Sequence, residues 1–195
     1  MSARSFFKYS VYLVATILVA PAIASFVVRA AFLGRDRALE GSSQMLGLVP
    51  GIAGQYLRRA FYRHVLAECD TWATIEFGVL FSAAGARIGR NTYIGPRCHI
   101  GLAHIGQEVL IGPAVHIPSG GATHGTTNLD LPLREQEGAR TVVHIGDGCW
   151  IGSHAVVMAD VGAQTIIGAG AVVTSPIPGR VIAAGVPARV IRSRS

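Results

Sequence analysis

The sequence has few cysteines, few charges and few aromatic side chains. Its three cysteines, Cys69, Cys98 and Cys149, lack the C-x-x-C spacing of a metal site and are too few for a disulfide-rich fold, so free thiols in a reducing compartment are expected. Only 14% of the 195 residues are charged and 7% are aromatic, and no stretch interleaves basic with aromatic residues. A nucleic-acid partner is therefore not expected. Hydrophobic residues make up 50% of the chain, which excludes a disordered protein.

The positive charge is confined to the amino-terminal third, beside the most apolar stretch. Residues 1–63 carry eight basic and two acidic residues (8 − 2 = +6), whereas residues 64–195 carry nine of each sign. From Tyr9 to Val28 no residue is charged, and a helix of that length is about as long as a bilayer core is thick. The pattern predicts a membrane-spanning helix through residues 9–28, kinked at Pro21, within an amino-terminal segment 1–34. The alternative is a signal peptide cleaved near Ala24.

Residues 35–74 are predicted to form a basic linker and one amphipathic helix. A Gly/Ser break at residues 41–43 separates the two. From Ile52 to Leu66, apolar residues recur at steps of four, which places them on one helical face. Basic residues lie around this face, as they do in helices at a membrane interface. Packing of the same helix on its own domain is an equally open alternative.

Beyond residue 75 the dominant pattern is a repeat of six residues. Each unit begins with an aliphatic residue, and most continue with Gly. The units begin at Ile88, Ile94, Ile100, Ile105, Ile111, Ile145, Ile151, Val157, Val161, Ile167 and Val173, and Ile75 and Phe81 extend the pattern upstream.

A period of six suits short strands joined by tight turns, in which one aliphatic side chain per strand points inward. A single unit cannot bury that side chain alone, so the units must stack into a solenoid. The repeat predicts a mainly β protein, a parallel β-helix. Cys98 and Cys149 share one place in the hexad with small residues, and we expect both to fill the core.

Two segments resemble a known family. The hexads, HIGDGCWIGSHAVVMADVG from His144 and IGAGAVVTSPIPGRVIAAGVPARVI from Ile167 are similar to the hexapeptide-repeat acyltransferases, which include maltose, galactoside, serine, xenobiotic and surface-polysaccharide O-acetyltransferases. The resemblance implies a left-handed β-helix over residues 75–195, with three hexads per coil. It also implies a homotrimer with active sites between subunits, and acetyl-CoA as the acyl donor.

The repeat lapses once, over residues 118–144, and a long loop leaving a regular solenoid is usually functional. His124 lies in this loop and has no role in the repeat. In the resembling family a histidine of this loop is the catalytic base, and a neutral imidazole can take a hydroxyl proton and return it to a thiolate. Asp130, Glu135 or a backbone carbonyl could orient the ring.

The resemblance also implies six residues for acetyl-CoA. Trp150 matches a tryptophan that lines the catalytic tunnel, and the backbones of Ser153 and Ala169 match contacts to the pantetheine arm. Thr174 matches a residue near the adenine, and Arg189 a basic residue beside the nucleotide phosphates; Arg180 could add charge there. The chain departs from its relatives at Ser175, where they often carry Lys, and in the four-residue step VMAD from Val157.

The favoured function is an acetyl-CoA-dependent O-acetyltransferase anchored by one membrane pass, with its catalytic domain on the cytoplasmic side of the inner membrane. Its acceptor would be a sugar hydroxyl in a lipid-linked glycan or a surface-polysaccharide precursor, because a diffusible acceptor requires no anchor. The alternatives are acetylation of an antibiotic or another small molecule, a zinc lyase of the carbonic anhydrase type that uses His99 and His104, and an inactive scaffold. No metal is expected for the favoured function.

Overall fold

A computed structural model of the chain describes the backbone of residues 3–194 and the side chains of residues 10–194. The side chains of Arg4 and Lys8, which would be the basic start of a signal peptide in the alternative interpretation, lie outside the described residues. Three helices precede a β-solenoid. The helices are α1 (Ala3–Leu33), α2 (Arg35–Gly47) and α3 (Gly51–Val65).

The solenoid has three faces, each a mostly parallel sheet. Sheet A contains β1 (Glu68–Cys69), β4 (Arg87–Ile88), β7 (Ala103–Ile105) and β10 (Val143–Ile145). Sheet B contains β2 (Thr74–Ile75), β5 (Tyr93–Ile94), β8 (Leu110–Ile111), β11 (Trp150–Ile151), β13 (Ile166–Ile167), β15 (Val181–Ala184) and β16 (Arg189–Ser193). Sheet C contains β3 (Leu80–Phe81), β6 (His99–Ile100), β9 (His116–Ile117), β12 (Val156–Val157) and β14 (Val172–Val173). The predicted parallel β-helix is confirmed.

The aliphatic residue that opens each hexad lies in the core. Ile88, Ile94, Ile100 and Ile111 each have 0% of their surface exposed. The Gly that follows allows successive coils to approach closely: a Cβ on Gly89 would lie 2.5 Å from the carbonyl carbon of Gly106. Upstream, Ile75 and Phe81 are buried in the same way, and β1 begins the solenoid before residue 75.

The predicted break at Gly41-Ser42-Ser43 is wrong, because α2 runs through all three residues. The hydroxyl groups of Ser42 and Ser43 are buried and hydrogen-bonded. The Ser42 hydroxyl donates to the Ala38 carbonyl (3.0 Å) and accepts from Arg29 (2.6 Å). The Ser43 hydroxyl lies 2.8 Å from Tyr62 Oη and accepts the Phe81 amide proton at 2.8 Å. Tertiary hydrogen bonds thus outweigh the weak helix propensity of the segment.

Helix α3 closes the amino-terminal end of the solenoid by packing on β1 and β2, while α2 packs on β3. The fully buried Arg58 joins the two parts. Its Nε donates to the Ile75 carbonyl (2.9 Å), and its Nη1 donates to the carbonyls of Leu46 (3.1 Å) and Val49 (2.6 Å). The sequence left open whether α3 lies at a membrane interface or packs on its own domain. In the structure α3 packs on its own domain, and part of its apolar surface stays exposed.

Helix α1 is continuous through Pro21. Its segment Ser10–Leu33 is long and apolar enough to cross a membrane. Ala15, Val19 and Phe26 form a buried side against α2 and α3, and the Phe26 ring contacts Phe61 edge-on at 6.2 Å. Most of the other apolar side chains of this segment are exposed.

At the carboxyl-terminal end the chain reverses direction. Strand β16 pairs antiparallel with β15, the last parallel strand of sheet B. The reversal ends the stack of coils, since a further parallel coil cannot follow an antiparallel strand in the same register.

Candidate functional site

The loop of residues 118–144 leaves the solenoid after β9 and returns to it at β10, at the edge where sheet C meets sheet A. It consists of two arms that run antiparallel. The Thr141 amide donates to the Ser119 carbonyl (2.9 Å), and the Ala139 amide donates to the Ala122 carbonyl (2.7 Å). These bonds hold the base of the loop in one conformation.

Gln136 organises the tip of the loop. Its Nε2 donates to the carbonyls of Asn128 (2.6 Å) and Leu131 (3.0 Å), and its Oε1 accepts the Asn128 amide proton (3.1 Å). The tip nevertheless presents apolar side chains to solvent: Leu129 is 95% exposed and Leu133 is 61% exposed. An ordered loop that exposes leucine is typical of a surface that another protein covers.

His124 lies in the outgoing arm with its side chain exposed. Its backbone packs against Gly138 of the returning arm. Within the described part of the chain, no hydrogen bond or ion pair involves the His124 ring. The Glu135 carboxylate is 3.5 Å from Arg134 and does not contact the ring, and neither does Asp130. One chain alone therefore does not supply the orienting partner that was sought in Asp130 or Glu135.

Three of the six residues predicted to contact acetyl-CoA lie along one edge, where sheet B turns into sheet C; we call it the BC edge. Ser153 and Ala169 occupy equivalent turns of successive coils, and the Gly170 amide donates to the Ser153 carbonyl (2.9 Å). Arg189 is in register with Ala184, whose Cβ lies against Gly168 of the same edge.

Trp150 stands on sheet B beside the BC edge. It is in register with Leu110 on one side and Ile166 on the other, and half of its surface is exposed. A flat aromatic surface next to a backbone-lined edge can pack against an extended ligand.

The other two predicted residues lie on different edges. Thr174 follows β14 on sheet C, so it lies at the edge from which the loop of His124 also leaves. Arg180 precedes β15 at the edge between sheets A and B, and its Nε donates to Gln164 Oε1 at 3.0 Å. Within one chain, neither side chain is brought to the BC edge.

A groove of about 610 Å³ on sheet A contains several ionisable residues, of which only His104 was a candidate from the sequence, as a zinc ligand. His144, where the loop ends in β10, donates its backbone amide to Asp160 Oδ1 (2.8 Å), and its Nδ1 is 3.3 Å from the same oxygen. The His104 ring meets His144 edge-on at 5.3 Å. Burial, followed by the charges of Arg87 and His144, lowers the pKa of His104. In the sequence, each of these residues directly precedes the aliphatic residue that opens a hexad. Ordinary surface residues of the solenoid occupy the same position, so this pattern does not identify a site.

The structure separates the histidines of the zinc hypothesis. His99 is on sheet C, where its ring lies 4.8 Å from that of His116, whereas His104 is on sheet A. Across the described residues, no three His, Cys, Asp or Glu side chains are grouped so that they could hold a metal ion.

Cys98 and Cys149 fill the core, as predicted. Their thiols donate to the carbonyls of Gly112 and Gly162, each at 3.1 Å. Burial raises the pKa of Cys98 to about 11 and raises that of Cys149 above its usual value. Both thiols are therefore protonated at neutral pH and do not act as nucleophiles.

The chain is similar in sequence and in structure to known acetyltransferases. A 52-residue segment is 54% identical to galactoside O-acetyltransferase of Escherichia coli (strain K12) and covers 26% of each protein. The solved structure of a galactoside acetyltransferase in complex with coenzyme A matches with a TM-score of 0.64 at 28% identity, over 82% of this chain and 81% of that one. The resemblance to the hexapeptide-repeat acyltransferases is confirmed.

A second solved structure supports the fold of the similar family. The maltose O-acetyltransferase from Clostridium difficile 630 matches with a TM-score of 0.70 at 21% identity, over 85% of this chain and 91% of that one. No family model matches the chain. The sequence match spans about a quarter of the length of the curated relative.

Proposed function

We propose that the protein is an acetyl-CoA-dependent O-acetyltransferase in which His124 is the general base. The observation that carries the proposal is the two-armed loop, which holds an exposed imidazole on an ordered backbone at one edge of a solenoid similar to that of a coenzyme A-bound acetyltransferase. The 28% identity over most of both chains supports the same reaction class.

The proposed chemistry needs one proton carrier. A neutral His124 ring accepts the proton of the acceptor hydroxyl as its oxygen attacks the thioester carbonyl. The tetrahedral intermediate then collapses: the carbon–sulfur bond breaks, the ester remains on the acceptor, and the imidazolium returns its proton to the thiolate of CoA. An imidazole suits both steps at neutral pH.

The BC edge is the proposed binding site for the acyl donor. Ser153 and Ala169 would offer backbone groups to the pantetheine arm, with Trp150 as a flat wall beside it. Arg189, at the carboxyl-terminal end of the same edge, would contact the phosphates, for which a guanidinium is well suited. Thr174 lies on the edge from which the His124 loop leaves, so it would contribute near the adenine from a second copy of the chain. Arg180, on the edge between sheets A and B, is proposed to add positive charge near the phosphates, but a neighbour's loop edge does not bring it to the BC edge.

A homotrimer would supply that copy. In such an assembly the loop edge of one chain lies beside the BC edge of the next, so that His124 faces a neighbour's acyl donor. The exposed leucines of the loop tip support this arrangement, since they would be covered by the neighbouring chain. Light scattering of the purified full chain tests it: a monomer with full activity would contradict the shared site.

The proposed acceptor is a sugar hydroxyl of a lipid-linked glycan or a surface-polysaccharide precursor. The apolar α1 supports an acceptor held at a membrane. We propose that α1, within residues 1–34, anchors the enzyme in the inner membrane as a single pass. Residues 75–195, with the catalytic loop 118–144, would face the cytoplasm, where acetyl-CoA is made. Protease accessibility of an amino-terminal tag, measured from each side of sealed vesicles, tests the single pass.

Labelled acetyl-CoA and a glycolipid extract test the reaction itself. His124→Ala should lower acetyl transfer at least ~100-fold, as loss of a general base does, while binding of acetyl-CoA is kept. His64→Ala, which removes an exposed histidine of α3, is the matched control and should keep full activity.

Transfer by His124→Ala equal to that of the wild type would remove His124 from the mechanism. If transfer were lost only in His144→Gln, the general base would be His144, in the groove of sheet A. Transfer to free sugars or antibiotics, but not to glycolipid, would favour the small-molecule alternative.

A further inference from the structure

An apolar groove of about 440 Å³ lies between α1 and α3. Its walls include Val14 and Leu18 of α1 and Ile52 and Tyr56 of α3. Val14, Leu18 and Ile52 each expose more than half of their surface. The groove therefore opens on the side of α1 that bears its exposed apolar residues, which is the side available to a membrane.

A polar pocket of about 230 Å³ adjoins this groove. The two cavities share Ile52 and Tyr56, and the pocket adds Gln55, Arg59 and Thr74 to its lining. The two cavities, together called the cleft, thus meet at Ile52 and Tyr56, and one is apolar while the other is polar. That division matches the shape of an amphiphile, with a hydrocarbon chain joined to a polar head.

Arg59 gives the polar end its charge. Its guanidinium lies over the Tyr56 ring, 4.6 Å from the ring centre, which fixes the side chain at the junction of the two cavities. Its Nε is buried and has no hydrogen-bond partner in the described chain. Arg58 Nη2 is the other such donor among the described side chains. Buried donors without an acceptor are rare in folded proteins and indicate a missing ligand atom or water.

The neighbouring charged groups leave Arg59 free to bind an anion. The Arg58 guanidinium donates to the backbone carbonyls that join α3 to the solenoid. Arg63 lies over the Tyr12 ring at 5.4 Å and adds a second positive charge to the same helix. The Glu76 carboxylate accepts from Gln55 Nε2 at 2.8 Å, so Gln55 lies between this carboxylate and the pocket.

We propose that this cleft binds one phospholipid with an anionic headgroup, with an acyl chain in the groove of α1 and α3 and the phosphate on Arg59. A guanidinium offers phosphate oxygens several N–H donors in a fixed plane, including the orphaned Nε. A hydrocarbon chain gains from the groove because it covers apolar side chains that water would otherwise contact. The site is separate from the acetyl-transfer site and does not depend on that activity.

Photocrosslinking in vesicles tests the site with the full chain. The vesicles contain phosphatidylcholine and a small fraction of phosphatidic acid that carries a diazirine on one acyl chain. We expect crosslinks to concentrate on the residues that line the groove, namely Val11, Val14, Leu18, Ile52 and Leu57. Arg59→Gln should reduce them at least tenfold, and Ala53→Phe, which fills the groove without removing a polar group, should do the same. Arg37→Gln removes an equal charge from an exposed position of α2 and is the matched control.

Three results would overturn the proposal. Equal labelling by a diazirine diacylglycerol would show that the pocket does not recognise phosphate. Labelling spread over the outward residues of α1, such as Leu13, Ile17 and Val27, and unchanged in Arg59→Gln, would indicate ordinary bilayer contact. Full displacement of the lipid by millimolar inorganic phosphate would assign the pocket to a free anion. Thermal unfolding of each variant, measured in parallel, separates loss of binding from loss of fold.

Discussion

Gly138 and His124 are in direct backbone contact across the two arms of the loop. A Cβ atom on residue 138 would overlap the His124 amide nitrogen and the Thr123 carbonyl group. The position of the proposed base is therefore set by the absence of a side chain on the opposite arm, and the contact can be tested without altering the imidazole.

Gly138→Ala should displace His124 and lower kcat by about 10- to 100-fold, because small misplacements of a catalytic group are costly. Gly121→Ala in the same loop is the control, since a Cβ there would meet nothing within 4 Å. Steady-state kinetics with acetyl-CoA provide the measurement. If both variants kept wild-type kcat, the His124 backbone position would not matter for the reaction.

Arg189→Gln should raise the KM for acetyl-CoA by about 10- to 150-fold and leave kcat nearly unchanged, since loss of a charge-assisted hydrogen bond to phosphate removes roughly 1.5–3 kcal/mol of binding. The effect should shrink with acetyl-dephospho-CoA if the 3′-phosphate is the contact. Arg192→Gln, in the same exposed strand, is the control. Arg180→Gln tests the second arginine; no change in KM there would exclude Arg180 from the phosphate site.

Replacement of Arg58 should destabilise the junction between α3 and the solenoid. Arg58→Met fills similar space but leaves the carbonyls of Ile75, Leu46 and Val49 without their donor, and we expect a loss of about 2–5 kcal/mol in the free energy of unfolding. Arg37→Met, at an exposed position, should change it by no more than about 0.5 kcal/mol. Denaturant unfolding of the detergent-solubilised chain measures the free energy of unfolding of both variants. Equal values for the two variants would contradict the role of Arg58.

Acid should destabilise the fold partly through His99. Burial, followed by the nearby His116 charge, lowers the pKa of His99, against a smaller opposite effect of Glu40. The unfolded chain, with a histidine pKa near ~6.5, therefore binds this proton at a higher pH than the folded chain. The free energy of unfolding should fall as the pH drops through ~6.5, and then level off below the lowered pKa. His99→Gln should flatten the decline in thermal midpoint between pH 7 and 5.5, and His64→Gln should not. Identical slopes in all three proteins would exclude His99 as a cause.

The solenoid could be predicted from the sequence because its stabilising pattern is local and repeated. Each of Ile88, Ile94 and Ile100 is followed by Gly and lies fully in the core, so spacing alone locates the strands. The sequence did not predict the first strand, Glu68–Cys69, because its hexad has neither the aliphatic first residue nor the Gly that follows it. Helix α2 was missed for a different reason, since Ser42 and Ser43 make hydrogen bonds with residues distant in sequence.

The candidate site was only partly predictable. The interrupted repeat located the loop of His124, but no pattern could show that the Gly138 backbone would set its position. The groove of His104, His144 and Asp160 arises from stacking of three coils, two of which are separated by the long loop, so the three residues form no motif in the sequence. Arg59 was noted only as one of several basic residues on a helix; its unpaired Nε is a property of packing.

The two ends of the solenoid are stopped in different ways, by α2 and α3 at one end and by the reversed strand β16 at the other. A stack of parallel coils with open ends could otherwise elongate indefinitely by adding copies of itself, as amyloid fibrils do. With these elements at its ends, the stack is not continued by a further parallel coil in the same register, which favours association of copies side by side through the faces and their edges. The helices and the reversed strand thus favour closed, finite assemblies over filaments.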